Sequence, residues 1–446
     1  MAEQFLSDFG APAINGMQAR RVLANEILRG VAQGSIETNG RGVTQRFSND
    51  TSGAQIRITQ LMPFNLEGRE LGASLNGENF NGNSPLQGQT NGLGVDVITV
   101  IDDNIDLPQV TMDMLPVDLL GQYTYNIQMA VNKNINAMTI GGKIVASFND
   151  AVVGGQEIIT LDPTQEAEAM KHDLILGNTQ LSNGAPEVGL DYFPDNDRCY
   201  VFRTNFVPAL YKTGAIIVGG SNSAQDILAK GGVSVGATPK LDNGYLGEFM
   251  GVPVHMAGDS VWNLAAKYVG VPAWKLDKVY GYVSSGYANV RALAQGNTMK
   301  IIDSPNGQGV RLQPLFRMGF KSLYPQGNVF FVDTSFENPA EDETLVLKGP
   351  ASRPAYSSDT TLASVSFGAQ AGVYDAGTKT WNIAVANGVA SGTFSNVKAT
   401  AGDKAQVTYP VGNQIISVGA NTYFFDVKAE DGKVGRVKVV VTRAGG

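Results

Sequence analysis

The spacing of apolar residues divides this chain into stretches with different periods. From 115 to about 148, apolar residues recur every three or four positions, which predicts the longest helix of the protein; they are Leu119, Tyr123, Ile127, Ala130, Val131, Ile135 and Met138. From 190 to 335, short apolar runs alternate with Gly, Pro and Asn. Beyond about 356, strand-like runs are separated by turn residues, at the regular spacing typical of a small sandwich. The pattern therefore predicts an α+β region followed by an all-β segment.

Four shorter helices are also predicted, the first of them from the same apolar spacing. We expect them at 17–33, ending before Gly34; at 164–176, after the start signal Asp162-Pro163; at 223–230; and at 259–268.

A long polar segment lies between two strand-like runs, 55–62 and 95–105. It contains the run ELGASLNGENFNGNSPLQGQTNGLG, which has little to bury, and ordering its backbone costs roughly 1 to 2 kcal/mol per residue. We predict a projecting hairpin that needs a partner surface.

Charge is distributed unevenly around this hairpin. Residues 70–132 contain no lysine or arginine but eight acids, whereas 20–46 are rich in arginine. One interpretation is contact between copies of the chain, in which hairpin acids meet arm arginines of a neighbour; the candidates are Asp96, Asp102, Asp103 and Asp106 with Arg20, Arg21, Arg29, Arg41 and Arg46. The alternative is that both segments are solvated charge runs.

Composition narrows the function classes. A chain of 446 residues is expected to form two or more domains, and its net charge of -8 argues against a dedicated nucleic-acid reader. The single cysteine, Cys199, excludes an internal disulfide and is expected to be a buried small residue. The beginning MAEQFLSDFGAP lacks the features of a secretory signal, and no apolar run is long enough to span a membrane, so we expect synthesis and folding in a cytoplasm.

No catalytic or cofactor-binding pattern emerges. The two histidines, His172 and His255, are isolated from each other and from Cys199, and we expect structural or surface roles for both. Gly141-Gly142-Lys143 lacks the upstream glycine of a phosphate loop. The run DDNID at 102–106 lacks the glycine and glutamate of a calcium loop. We therefore predict no catalytic residue, no metal and no cofactor.

The order of these parts resembles the major capsid protein of tailed bacteriophages with the Hong Kong 97-type fold. The most specific local match is 244–254, GYLGEFMGVPV, which fits a G-x-L-G-x-x-x-G-x-P-V turn and strand. The resemblance implies the following segments: 1–54 as the N-terminal arm, 55–114 as the extended loop (a β-hairpin), 115–190 as the peripheral domain with the spine helix, 191–300 as the axial domain, and 301–336 as strands returning to the peripheral domain.

A proline-rich, acidic linker is predicted at 337–355, and 356–446 is similar to bacterial immunoglobulin-like, cadherin-like sandwich domains. Phe425 to Gly432 fit the F-x-V-x-A-x-D-G pattern of such domains, and the last strand is expected to place Val437, Val439 and Val441 inward.

The resemblance implies a structural protein, not an enzyme, that self-assembles into hexamers and pentamers of an icosahedral head around double-stranded DNA. It further implies a virion location, assembly in the cytoplasm of a bacterial host, and portal and scaffold proteins as partners. DNA would be contacted non-specifically, no membrane would be involved, and the sandwich would face outward, where it could bind host-surface glycans.

Two alternatives remain open at this stage. A shell protein of a cellular nanocompartment would share the fold up to residue 335, and a carbohydrate-binding virion or tail surface protein would use the sandwich. The missing secretion signal disfavours an adhesin, and the helical middle region disfavours a tail tube.

Overall fold

A computed structural model describes residues 36–37, 41–48, 55–61, 90–96, 98–102, 105–108, 119–185, 190, 192–214, 244–294, 298–303, 309–349 and 356–445. The predicted helices at 17–33 and 223–230, the loop between the hairpin runs, and residues Arg20, Arg21, Arg29 and Asp103 lie outside these ranges. Within them, no helix is both long enough and apolar enough to cross a membrane.

The longest described helix is α1 (Leu119–Val152), which confirms the prediction from apolar spacing. Ile127, Val131, Ile135 and Met138 are buried along one face, as the period of 3.6 residues requires. The helix packs so closely on a sheet that a methyl group added at Gly142 would overlap the ring of Phe320.

Three more helices are α2 (Ala167–Ser182), α3 (Val207–Lys212) and α4 (Asp259–Val269). The prediction of a helix at 164–176 was wrong in its bounds. The carboxylate of Asp162 accepts hydrogen bonds from the backbone and hydroxyl of Thr164, at 2.8 and 2.7 Å, so these residues form a turn before the helix begins. The prediction at 259–268 is confirmed, and the left-handed Gly270 (φ 89°) follows the last turn.

Strands before residue 340 are β1 (Thr44–Ser48), β2 (Gln55–Leu61), β3 (Thr90–Asp96), β4 (Ile98–Asp102), β5 (Ile105–Pro108), β6 (Ile158–Thr160), β7 (Arg198–Arg203), β8 (Tyr245–Phe249), β9 (Val252–Ala257), β10 (Val279–Ser285), β11 (Asn289–Ala294), β12 (Thr298–Asp303), β13 (Gly309–Ser322) and β14 (Asn328–Val332).

One six-stranded sheet is organised around β13. Strands β11 and β12 pair antiparallel with one edge of β13, strands β4 and β5 pair with the other, and β1 lies parallel outside β11. The predicted second hairpin leg, 95–105, is therefore wrong. The antiparallel partner of β2 is β3, and the chain from Ile98 onward has left the hairpin to join the body sheet.

A second six-stranded sheet is mixed, in the order β6-β14-β10-β7-β9-β8. It combines strands from the predicted segments 115–190, 191–300 and 301–336. The motif at 244–254 forms the β8–β9 hairpin, whose turn contains Met250 and Gly251 at φ 52° and 79°. Gly244 (φ 73°) lies against the carbonyl oxygen of Met256, where a side chain would not fit.

The C-terminal β-domain, residues 356–445, has ten strands: β15 (Leu362–Phe367), β16 (Gln370–Ala371), β17 (Val373–Asp375), β18 (Thr380–Val385), β19 (Ser391–Gly392), β20 (Phe394–Ala399), β21 (Gln406–Thr408), β22 (Gln414–Ile415), β23 (Gly419–Lys428) and β24 (Val434–Arg443). A three-stranded sheet and a five-stranded sheet enclose one core, in which the rings of Phe394 and Phe425 meet edge to face at 4.9 Å. Val439 and Val441 are buried and Lys438 is exposed, as the alternation predicts.

The C-terminal β-domain contacts the body through α4 and the turn that follows it. The backbone N–H of Ala273 donates to the carbonyl of Glu430 at 3.1 Å, and the Tyr356 hydroxyl lies 2.8 Å from the carbonyl of Val271. Lys428 forms a salt bridge with Asp277, whose carboxylate also pairs with the buried Arg203 at 2.9 Å. A charged group of the body thus fixes the base of the domain.

Replacing Lys428 by Ala is expected to loosen this contact. The Lys428 ammonium is partly shielded, so we expect about a tenfold faster amide hydrogen exchange at Ala273, whose N–H bridges the two parts. Mass spectrometry of exchange in the full-length chain measures this effect. Lys438→Ala, which removes an exposed lysine of the same domain, is the control, and equal exchange in both variants would contradict the prediction.

Candidate assembly site: the ribbon and the arm anchor

Strands β2 and β3 form a two-stranded antiparallel ribbon. The register runs from Gln55 opposite Asp96 to Leu61 opposite Thr90, and no third strand pairs with either one in the described part of the chain. An isolated two-stranded hairpin is only marginally stable in water. The ribbon therefore needs a further surface to hold its conformation.

The register gives the ribbon two different faces. Ile56 is opposite Val95, and Ile58 is opposite Leu93, so these four apolar residues share one face. The other face carries the cross-strand pairs Arg57 with Gly94 and Thr59 with Gly92. A ribbon with one aliphatic face is suited to lie on an apolar surface, because burying such residues is favourable.

The acidic residues predicted for the hairpin are divided between two places. Asp96 lies at the base of the ribbon, whereas Asp102 and Asp106 lie in the body sheet, opposite Leu315 and Arg311 of β13. The structure thus brings Asp106 into register with an arginine of its own chain. Of the predicted arginines, Arg41 is exposed and Arg46 lies on β1 opposite Ala292. Contact between these acids and a neighbour's arginines stays a prediction.

A buried ionic cluster, here called the arm anchor, consists of Glu37, Lys143, Ser284 and Arg291. The Lys143 ammonium forms a salt bridge with Glu37 and donates to the carbonyl of Gly42 at 2.9 Å and the hydroxyl of Ser284 at 2.7 Å. Arg291 donates to the backbone carbonyl of Glu37 at 3.3 Å. Lys143 and Glu37 are 0% and 3% exposed, so the N-terminal segment around residue 37 is fixed inside its own subunit.

A row of polar residues on α1 contributes Lys143 to this site and bonds to neighbouring segments of the chain. Asn132, Asn136, Thr139, Lys143 and Ser147 are all buried and recur every three or four residues along one side of the helix. Asn136 accepts the backbone N–H of Ile36 at 3.0 Å, and Ser147 donates to the carbonyl of Asn328 at 3.2 Å. The arm anchor was not predicted from the sequence, although these regularly spaced polar residues within an apolar helix could have indicated it.

Burial controls the protonation of the groups in and beside the anchor. Desolvation lowers the pKa of Lys143, although the charge of Glu37 opposes that shift. Desolvation also lowers the pKa of Arg291 to about 10 and raises the pKa of the Tyr282 hydroxyl. Burial raises the pKa of the Cys199 thiol, and its exposure of 1% confirms the prediction of a buried small residue.

Cys199 predicts a loss of stability at alkaline pH. The unfolded thiol ionises near its ordinary pKa of 9.0, whereas the folded thiol keeps its proton well above that pH. The folded state then binds more protons, so the free energy of unfolding falls as pH rises above 9, by about 1.4 kcal/mol between pH 8 and pH 10 for this one group. Lys143, with its lowered pKa, acts in the opposite direction.

Urea unfolding at both pH values measures this contribution. The loss between pH 8 and pH 10 should be about 1.4 kcal/mol smaller in Cys199→Ala than in the unmodified chain. An identical pH dependence in the two proteins would show that Cys199 does not titrate on unfolding.

Neither histidine belongs to a reactive or metal-binding cluster in the described residues. The His172 side chain is 76% exposed, and His255 stacks edge to face on Tyr245 at 5.5 Å. In the described ranges, no three His, Cys, Asp or Glu side chains lie close enough together to hold a metal ion.

Comparisons with known proteins give structural similarities only. No protein-family model matches the sequence, and no curated protein matches it either. Solved structures similar to this chain include the capsid of the cyanophage P-SCSP1u (14% identity, 67% of this chain and 87% of that chain, TM-score 0.41). The capsid of Ralstonia phage GP4 is similar at 10% identity, over 69% and 91% of the two chains, with a TM-score of 0.45. A virus-like particle from Pyrococcus furiosus is similar at 11% identity, over 70% and 99%, with a TM-score of 0.37.

Proposed function

We propose that this chain is the structural subunit of a bacteriophage head, with a Hong Kong 97-type fold, and that it assembles into hexamers and pentamers of a closed shell around double-stranded DNA. The observation that carries the proposal is the β2–β3 ribbon. It has an aliphatic face and pairs with no third strand in the described part of the chain. The role is structural and not enzymatic.

A second copy of the chain is the partner that best suits the ribbon. The ribbon leaves the body at Asp96, two residues before the body sheet resumes at Ile98, so its base is fixed, while the last described pair at its other end is Leu61 opposite Thr90. A limb of this kind can cover a neighbouring subunit and can bend where neighbours meet at different angles. Pentamers and hexamers made of one chain require such tolerance.

The arm anchor supports the same role. A shell subunit must carry force between its neighbours without unfolding, and the anchor ties the N-terminal segment at Glu37 to α1 and to β10 through buried charged hydrogen bonds. The ribbon would then bend to accommodate different angles between neighbouring subunits, while the body of the subunit stays rigid.

We propose further that the C-terminal β-domain is an immunoglobulin-like sandwich on the outer surface, where it can contact host glycans. Packaged DNA would be contacted without sequence preference, because a chain of net charge -8 offers only local basic patches such as the arginines of the arm. Portal and scaffold proteins would be further partners, and the virion would be the location.

Negative-stain microscopy of the purified full-length chain tests the central proposal. Closed shells tens of nanometres wide are expected, and a chain that remains monomeric at high concentration would contradict it. Nuclease-protected duplex DNA in particles isolated from the cells that naturally make the chain would support a phage head. Protein cargo without DNA would instead support a cellular nanocompartment.

A further inference from the structure

The far end of the C-terminal β-domain carries exposed aliphatic side chains. The loops 386–391 and 410–418, here called the distal tip, expose Val389, Val411, Ile415 and Val418 by 36, 86, 84 and 60%. Strand β23 begins beside these loops at Gly419 and ends at Lys428, which contacts the body. At about 3.3 Å per residue, its ten residues place the tip roughly 30 Å from that contact.

The distal tip is well braced. The Arg443 guanidinium donates to the carbonyls of Asn387 at 2.8 Å and Ile416 at 3.2 Å, which joins the two loops. Ser391 pairs with Ile415 in a short ribbon. The Asn421 side chain accepts the N–H of Ser417 and donates to its carbonyl. The aliphatic side chains therefore stand on ordered backbone, and little entropy is lost when they bind.

Size and charge favour one occupant. The four side chains expose on the order of a few hundred Å², comparable with functional patches on monomers but well below the roughly 800 Å² per partner of a stable interface. The patch can therefore hold only a partner that other contacts already keep nearby. Neither loop contains a charged residue, and the Arg443 guanidinium beside them donates to two loop carbonyls, so the aliphatic side chains themselves bring no like charges together when two tips meet.

We infer that distal tips of neighbouring copies contact each other in the assembled shell. The inference depends on the proposed function, because the shell supplies the contacts that keep the copies close. It adds an interaction surface beyond the ribbon, with a second copy of the C-terminal β-domain as its partner.

Cysteine crosslinking tests this inference in the full-length chain. The native Cys199 is 1% exposed, so a cysteine placed at the tip is the reactive one. Treatment of Ile415→Cys particles with a short bis-maleimide should give several-fold more covalent dimer than the same treatment of Val373→Cys. Val373 is the matched control, since it is 71% exposed in the same domain but lies on β17, outside the tip.

Equal dimer yields from the two variants would overturn the inference. Shell formation is scored separately by microscopy: equal yields in particles that form normal shells overturn the tip contact alone, whereas a chain that makes no shells contradicts the proposed function and the tip contact with it. Flotation of the unmodified chain with phosphatidylcholine vesicles, lost in Val411→Ser/Ile415→Ser, would also overturn it, because the tip would then bind lipid.

Discussion

Aspartate at both Ile58 and Leu93 is expected to abolish shell formation while leaving a folded subunit. These positions are directly opposite each other on the aliphatic face of the ribbon. If that face lies on a neighbouring copy, two carboxylates there must be desolvated without partners, at a cost of at least about 3 kcal/mol per contact, or roughly a 100-fold weaker association. Sedimentation velocity measures the fraction of protein in shells, and circular dichroism reports whether the subunit is folded.

Thr59→Asp is the matched control for this prediction. Thr59 is adjacent to Ile58 in the same strand but lies on the opposite face, across from Gly92. It introduces one carboxylate, against two in the double variant, at nearly the same place but on the other face, and we expect shells to persist. Normal shells from Ile58→Asp/Leu93→Asp, or equal loss in Thr59→Asp, would show that the aliphatic face is not the assembly contact.

Lys143→Met is expected to reduce the free energy of unfolding of the subunit by about 3 to 5 kcal/mol. Lys143 is completely buried, and its removal leaves the carboxylate of Glu37, 3% exposed, without its ammonium partner. Burial of an uncompensated charge costs more than the ion pair itself contributes, because the desolvation is no longer offset. Urea unfolding of an assembly-deficient background such as Ile58→Asp/Leu93→Asp measures the loss without interference from shell contacts.

The double variant Glu37→Met/Lys143→Met separates charge from packing. It removes the ion pair and keeps apolar volume, but it also takes the charge of Glu37 away from the buried Arg291, so it should recover only part of the stability lost in the single variant. Each of the four proteins in this cycle is measured under one condition, and the coupling energy follows from their differences. A double variant as unstable as the sum of the two single variants would show that Lys143 and Glu37 act independently.

Local periodicity was sufficient for the long helix and for the last strand. Ile127, Val131, Ile135 and Met138 repeat at the helical period over many turns, and the valines near 439 alternate at the strand period. Both signals depend on neighbours along the chain, and the buried faces in the structure agree with them.

The pairing partners of the strands were harder to predict from the sequence. The run from Val95 to Ile105 looks like one strand, yet Val95 pairs with Ile56 while Ile101 pairs with Phe316. The choice depends on β13, more than 200 residues later in the chain, and no local pattern indicates it. The exchange of partners near Asp96 is therefore a tertiary effect.

The arm anchor was hidden for the same reason. Lys143 and Glu37 are separated by 106 residues and Ser284 and Glu37 by 247, so neither pair could be recognised from spacing. The glycine pair before Lys143 resembles part of a phosphate loop, but these residues lie inside helix α1 and form no loop. A lysine on the buried side of a helix is a stronger indication of an ion pair than any motif around it.

The shared carboxylate of Asp277 has a consequence for imaging. Because Arg203 and Lys428 both bind it, the C-terminal β-domain is held at one orientation to the body. After symmetry averaging in cryo-electron microscopy, density for residues 356–445 should remain sharp out to the strands, whereas a domain on a loose tether would average into a featureless halo.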